Sequence, residues 1–189
     1  KLNGLSSLNI TALAYDTKED MLIIGYNDGQ IDLMKNNLIT SIPYIKMANI
    51  LSPKTINHIL IDGDLSYISC PFGLVVLNTK KREIKETYYF SNGSNGLKVF
   101  TSFVFNDSMN QENTPLLSDK IFVGTNQGLF YANKNDNLLD FTNWKNDCNF
   151  NDQKTNNVLT NEMKIISIVG FENHDSGEKS LVLATSRET

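Results

Sequence analysis

The sequence predicts an all-β chain of β-propeller blades, each a four-stranded antiparallel sheet, about three and a half blades of an incomplete ring. Three observations lead there. The apolar residues come in short β-branched or aromatic runs bounded by Gly, Asn and Asp, as in Leu22-Ile-Ile24, Leu74-Val-Val-Leu77 and Ile121-Phe-Val123. No stretch sustains the 3.6-residue apolar spacing that a helical solenoid needs. The runs also recur, so the chain is a repeat protein before it is anything else.

The first copy runs Asn9-Ile-Thr-Ala-Leu-Ala-Tyr-Asp16, a polar turn, then Met21-Leu-Ile-Ile-Gly-Tyr-Asn-Asp-Gly-Gln-Ile-Asp-Leu33. The second pairs Thr55-Ile-Asn-His-Ile-Leu-Ile61 with Leu65-Ser-Tyr-Ile-Ser-Cys-Pro-Phe-Gly-Leu-Val-Val-Leu77 across the turn Asp62-Gly63-Asp64. The third pairs Val99-Phe-Thr-Ser-Phe-Val-Phe105 with Lys120-Ile-Phe-Val-Gly-Thr-Asn-Gln-Gly-Leu-Phe-Tyr-Ala132. A fourth begins at Met163-Lys-Ile-Ile-Ser-Ile-Val169 and Ser180-Leu-Val-Leu-Ala-Thr-Ser186 and stops where its turn glycine is expected. The shared signature is Gly25-x-x-x-Gly29, Ser69-x-x-x-Gly73 and Gly124-x-x-x-Gly128. A small first residue lets neighbouring strands come close, and the second Gly supplies the positive φ of a tight turn.

Aligned on the small residue, the copies are offset by 44, 55 and 60 positions (25 to 69, 69 to 124, 124 to 184). A blade takes about 40 to 50 residues, so the later two carry insertions, one from Asn106 to Asp119 and one from Asn133 to Asn161. Leu138, Leu139, Phe141 and Trp144 mark the second insertion as partly packed. The blades are expected at about 9–54, 55–98, 99–162 and 163–189, the last incomplete, and residues 1–189 as a partial propeller. Outer strands such as Glu83–Phe90 mix charge with aromatics, which suits a half-exposed edge. Half a ring leaves edges uncovered, so the chain is expected to be part of a longer protein, and Lys at position 1 fits a mature or trimmed chain.

Composition narrows the function. A net charge of -4 and a pI near 5.2 argue against a nucleic-acid or anionic-membrane surface, which needs clustered cations. The one dense basic run, Lys80-Lys81-Arg82, is interleaved with Glu83 and Glu86 and reads as a solvated hairpin end. No apolar stretch is long enough to span a bilayer. Two cysteines, Cys70 and Cys148, lack the spacing of a zinc or redox motif, and a bridge between them is left open.

No catalytic residue, metal ligand set or cofactor is assigned. His58 lies in an apolar strand opening and His174 in the loop Glu172–Gly177, which favours packing and solvation over catalysis. Asp62-Gly-Asp64 and Asn27-Asp28-Gly29 have too few oxygen ligands for calcium and read as plain turns. Gly25 and Gly29 lack the Lys and the following helix of a phosphate loop. The binding candidates are the residues in equivalent turns of successive blades, Tyr26, Asn27, Phe72, Asn126 and Gln127. Loops on a rigid scaffold gather function, and aromatic rings beside amides suit sugar or peptide recognition. For Phe72, packing between blades is an equal reading.

The wording of several segments then resembles a known family. Gly4-Leu5 with Asn9–Asp16, Asn27-Asp-Gly-Gln-Ile-Asp-Leu33, Lys54-Thr-Ile-Asn57, Gly73-Leu-Val-Val-Leu77 and Leu138-Leu-Asp-Phe-Thr-Asn-Trp144 look like the amino-terminal propeller of PorZ-type proteins of the Bacteroidetes type IX secretion system. The resemblance covers most of the chain. It implies an exported protein in the periplasm or at the cell surface, associated with the outer membrane, with two propellers and a sandwich domain. Its implied partners are other secretion-system proteins, notably a sortase-like protease complex that attaches cargo to anionic lipopolysaccharide, and the glycolipid itself. Asp107-Ser-Met109 matches an O-glycan acceptor pattern of that phylum by resemblance only.

The expected function is therefore a non-enzymatic binding scaffold of type IX secretion. The alternative is the periplasmic ligand-sensing propeller of a hybrid two-component regulator recognising an oligosaccharide. A propeller lactonase or lyase would need inward acidic, His or Asn ligands, whereas the inner strands offer mainly Ile, Val, Leu and Ser.

Overall fold

A computed structural model describes residues 4–92, 95–105, 119–146, 163–173 and 179–186. Most of both insertions, and with them Cys148, Asp107-Ser-Met109 and His174, lie outside the described residues. The strands follow chain order as β1 (Ile10–Asp16), β2 (Met21–Tyr26), β3 (Ile31–Lys35), β4 (Leu38–Ile42), β5 (His58–Asp62), β6 (Leu65–Cys70), β7 (Gly73–Asn78), β8 (Glu83–Tyr88), β9 (Ser91–Asn92), β10 (Asn95–Gly96), β11 (Val99–Val104), β12 (Lys120–Thr125), β13 (Gly128–Asn133), β14 (Lys164–Glu172) and β15 (Lys179–Ser186). A four-residue helix, α1 (Tyr44–Met47), links β4 to the segment before β5. The fold is all-β, as the sequence predicts, and its sheets are up-and-down antiparallel meanders in chain order. The chain divides into two compact units, residues 1–99 and 100–189.

The first unit holds two four-stranded sheets, β1-β2-β3-β4 and β5-β6-β7-β8. Period-two alternation sends one side chain set of each sheet toward the other. Met21, Ile23, Ile31, Leu33 and Ile42 of the first sheet and Ile45 of α1 meet Ile59, Ile68, Cys70, Val75 and Leu77 of the second and Ile56 of the segment before β5. Each of these larger side chains contributes about 1.5–3 kcal/mol by leaving water.

The small first position of the repeat explains how closely the two sheets approach. A Cβ at Gly25 would stand 2.6 Å from Ile56 Cγ2, so the β-branched residue that leads into β5 sits directly on the bare backbone of β2. Backbone bonds tie the junction, Ile56 N–H donating to Tyr26 O (3.1 Å) and Asn57 N–H to Ser69 O (2.8 Å). The turn position is equally constrained. Gly29 has φ +84°, and Gly73 has φ +154° with space for a Cβ only 2.4 Å from Tyr88 O.

In the second unit β11, β12 and β13 form one sheet and β14 and β15 another. The same device recurs: a Cβ at Gly124 would lie 2.8 Å from Ile165 Cγ2 of β14 and 2.7 Å from Thr101 Cγ2. Phe105, Phe122, Leu129, Ile165 and Ile168 form the core, with edge-on ring contacts between Phe103 and Phe105 (4.9 Å) and Phe105 and Phe122 (6.4 Å). The third sheet departs from the expected four strands. Among the described residues its fourth strand is a single bridge, Tyr131 paired with Lys145.

The segment leading to that bridge is packed as expected, with one exception. Trp144 is buried and donates its indole N–H to Leu138 O (3.0 Å), Leu138 is buried, and Phe141 packs on Phe130 at 5.7 Å. Leu139 is exposed. Asp140 caps the short 3-10 turn Phe141–Asn143 by accepting from the Thr142 N–H.

Two tests follow from this packing. Gly25→Val and Gly124→Val should each lose about 2–4 kcal/mol in urea unfolding, because the added atoms overlap Ile56 or Ile165. Gly63→Ala, with φ +62° and nothing within 4 Å of its Cβ, should lose only about 1–2 kcal/mol. Equal losses at all three sites would show that close blade approach is not the constraint.

The second test concerns His58, whose pKa burial pushes below the ordinary histidine value. A depressed folded pKa stabilises above the unfolded value, about 6.5, and that stability is lost as pH falls through the folded value. Unfolding measured at pH 7.5 and pH 5.5 should show a decline in the native protein that His58→Gln reduces; an identical decline in the variant would rule His58 out as its source.

Candidate binding surface at the blade turns

The β2–β3 turn, Tyr26–Gly29, is held from three sides. Asn27 N–H donates to Asn9 O (3.0 Å), which ties the turn to the start of the chain. Asp28 accepts from Ser7 Oγ (2.7 Å), Lys46 Nζ of α1 (2.7 Å) and the Gln30 N–H (3.1 Å). Partial burial of Asp28 opposes its ionisation, and these donors more than offset that, leaving its pKa below the usual carboxylate range. Lys54 completes the brace by donating to Lys46 O and Ala48 O behind α1 (2.7 and 2.6 Å).

Asn27 itself is exposed, and its Oδ1 accepts from Thr55 Oγ1 (2.9 Å). Tyr26 is not at the surface. It is fully buried and donates its hydroxyl to Asp32 Oδ2 (2.8 Å), an oxygen that also accepts the Ser6 N–H (2.8 Å). Burial first, and then the Asp32 carboxylate, push the Tyr26 phenol well above its ordinary pKa. Within the turn Tyr26 is a strut and Asn27 the presented group.

Phe72 occupies the equivalent β6–β7 turn, at the same end of the first unit. One side of its ring packs on the core shared by the two sheets, and the ring lies 6.4 Å from that of Tyr89, tilted by 42°. Tyr89 is largely exposed. Phe72 thus both packs and presents, as the sequence allows. Tyr89 lies outside the repeat signature, just past β8, so aligning the copies does not reveal it as a neighbour of Phe72.

In the second unit the β12–β13 turn holds Asn126 and Gln127, both half-buried. Thr125 organises it from inside, Oγ1 donating to Gly128 O (2.9 Å) and accepting the Gln127 N–H (3.0 Å). Asn146 Nδ2 donates to Gln127 O (3.3 Å). Gly128 takes φ +95°, as the turn requires. The five predicted residues therefore occupy three homologous turns, two in the first unit and one in the second. These rigid turns offer amides and aromatic faces for hydrogen bonding and stacking.

Among the described residues no three His, Cys, Asp or Glu side chains gather as a metal would need. Cys70 is buried, and desolvation raises its thiol pKa to about 12, which leaves it unreactive at neutral pH. No helix among the described residues is long and apolar enough to cross a membrane.

Comparison with known proteins agrees with this geometry. No curated relative matches the sequence. Among solved structures, the chain is similar to PorZ, described as an essential bacterial surface component of the type-IX secretion system of Porphyromonas gingivalis, with TM-score 0.66 and 24% identity. It is also similar to the extracellular domain of the putative one-component system BT4673 from B. thetaiotaomicron (TM-score 0.60, 17% identity) and to Sqt1 of Saccharomyces cerevisiae (0.57, 12%). These cover 95%, 98% and 97% of this chain, which in turn spans 23%, 21% and 45% of theirs, and at such identities they show a shared fold. The family described as the type IX secretion PorZ N-terminal β-propeller domain matches residues 1–145. With its strands, its turn glycines and that match in agreement, the chain belongs to the PorZ N-terminal β-propeller family.

Proposed function

We propose that the chain is part of the first propeller of an exported, outer-membrane-associated accessory protein of type IX secretion, acting as a non-enzymatic binding scaffold. Its blades lie at about 9–54, 55–98, 99–162 and 163–189. In this reading it works beside a sortase-like protease complex and presents anionic lipopolysaccharide for attachment to cargo. Asn27, Phe72, Asn126 and Gln127 make contacts with the glycan or with a partner, and Tyr26 holds its turn in shape. The observation that carries the reading is the family match over residues 1–145, and the braced Asn27 turn supports a presenting role for this end of the unit.

A second reading, a periplasmic sensor propeller recognising an oligosaccharide, is favoured by the likeness to the BT4673 extracellular domain. The polypeptide following residue 189 separates them: a second propeller and a sandwich domain favour secretion, a membrane helix with kinase motifs favours sensing. For the binding role, the full protein should retain purified anionic lipopolysaccharide in an affinity capture, and Asn27→Ala and Phe72→Ala should each weaken retention roughly three- to tenfold, a loss of about 0.6–1.4 kcal/mol. Retention that neither variant changes would move the contact away from these turns, and no retention would overturn the glycolipid role.

A further inference from the structure

At the opposite end of the first unit a cavity of about 470 Å3 opens between the two sheets, away from the turns that carry Asn27 and Phe72. Its floor is apolar, Met21 and Leu33, and Leu38 and Thr40 of β4 line one wall. Lys35, Lys80 and Arg82 bring three cations to it. Two of these are already engaged: Glu19 lies 3.5 Å from Lys35 and 3.6 Å from Lys80, and Lys80 also pairs with Asp64 at 2.8 Å. Arg82 makes no ion pair among the described residues, and it is exposed. It also stands in the left-handed region, φ +60°, at the end of the β7–β8 turn, where its N–H donates to Asn78 O (2.8 Å). Glycine takes that conformation freely, whereas a long side chain takes it at a cost. A strained residue that carries the uncompensated charge of a cavity is the pattern of a functional position.

The wall beside this cavity has a second unusual property. β4 is the edge of its sheet and bonds to β3 alone, with no other backbone partner among the described residues. Exposed edges are normally protected by charge or proline. The edge of the other sheet, β8, follows that rule with Glu83, Lys85 and Glu86, but β4 reads Leu-Ile-Thr-Ser-Ile and carries neither. A strand added beside β4 would continue the sheet and send every second side chain to the cavity side.

We propose that β4 and the Arg82 cavity form a docking site for an extended acidic segment of a partner protein. The segment pairs its backbone with β4, places a carboxylate against Arg82 and rests an apolar side chain on the exposed Leu38 of the cavity wall. This site is separate from the turn surface of the proposed function and stands or falls without it.

The test uses the intact protein and a fluorescein-labelled, amidated heptapeptide with valine and glutamate at alternating positions separated by serine. The lysine-for-glutamate peptide is the control. Expected are slowed amide exchange over residues 38–42 in the presence of the glutamate peptide, and binding by anisotropy at least tenfold tighter than the lysine control. Arg82→Gly and Arg82→Asn should each weaken that binding about tenfold, and both should melt no lower than the native protein, since both residues accept the left-handed turn. The site is overturned by equal binding of the two peptides, by binding that the Arg82 variants leave unchanged, or by the absence of exchange protection in β4. It is also overturned if β4 becomes protected with rising protein concentration alone, which would make a second copy of the chain its occupant.

Discussion

The close seating of one β-branched side chain on a bare backbone is the constraint from which the remaining structure follows. Ile56 rests on Gly25 in the first unit and Ile165 on Gly124 in the second, each at a distance that leaves no room for a Cβ. Because the sheet backbones approach there, the side chains on either side of the contact close into one dry core, from Met21 and Ile23 across to Ile68 and Val75. The same approach brings the segment before β5 against the β2–β3 turn, where Ile56 N–H and Thr55 Oγ1 bond to Tyr26 and Asn27. A bulkier residue at the glycine would thus disturb the core and the presented turn together.

The turns gain rigidity from different chemistry in each copy, which explains why a shared repeat can present different groups. The first is braced by a carboxylate, Asp28, with a lysine and a serine around it, and underlain by the buried Tyr26–Asp32 pair. The second relies on Pro71 and on Gly73 pressed against the Tyr88 carbonyl. The third closes through the hydroxyl of Thr125. In the first and third copies these side chains satisfy backbone groups that a tight turn exposes, so the outward side chains are free to differ. The hairpin ends opposite these turns behave otherwise: Lys80 is neutralised by Asp64, which the nearby ammonium holds below its ordinary pKa, while Arg82 makes no ion pair among the described residues.

Much of the fold was legible in the sequence, because strands announce themselves through local features. Runs of Ile, Val and Phe bounded by Gly, Asn and Asp give the strand positions, and the spacing of the small and turn residues gives the repeat. The positive φ at Gly29, Gly73 and Gly128 was readable in the same way. The candidate site was only half legible. Tyr26 and Asn27 are adjacent, yet one is buried and the other exposed, and only the buried Asp32 carboxylate facing the ring decides that. Tyr89 joins Phe72 across a distance that no repeat alignment measures.

By itself, then, the sequence determined the secondary structure, the repeat and, through its wording, the family, because each rests on residue type and spacing along the chain. Tertiary structure alone decided which turn residues reach solvent, which lysines are already paired and which strand edge has no backbone partner among the described residues. Those outcomes depend on distances between residues far apart in the chain, such as Lys80 to Asp64, Lys46 to Asp28 and Ile56 to Gly25. Burial and pairing are properties of the assembled sheets, and a one-dimensional pattern holds no measure of either.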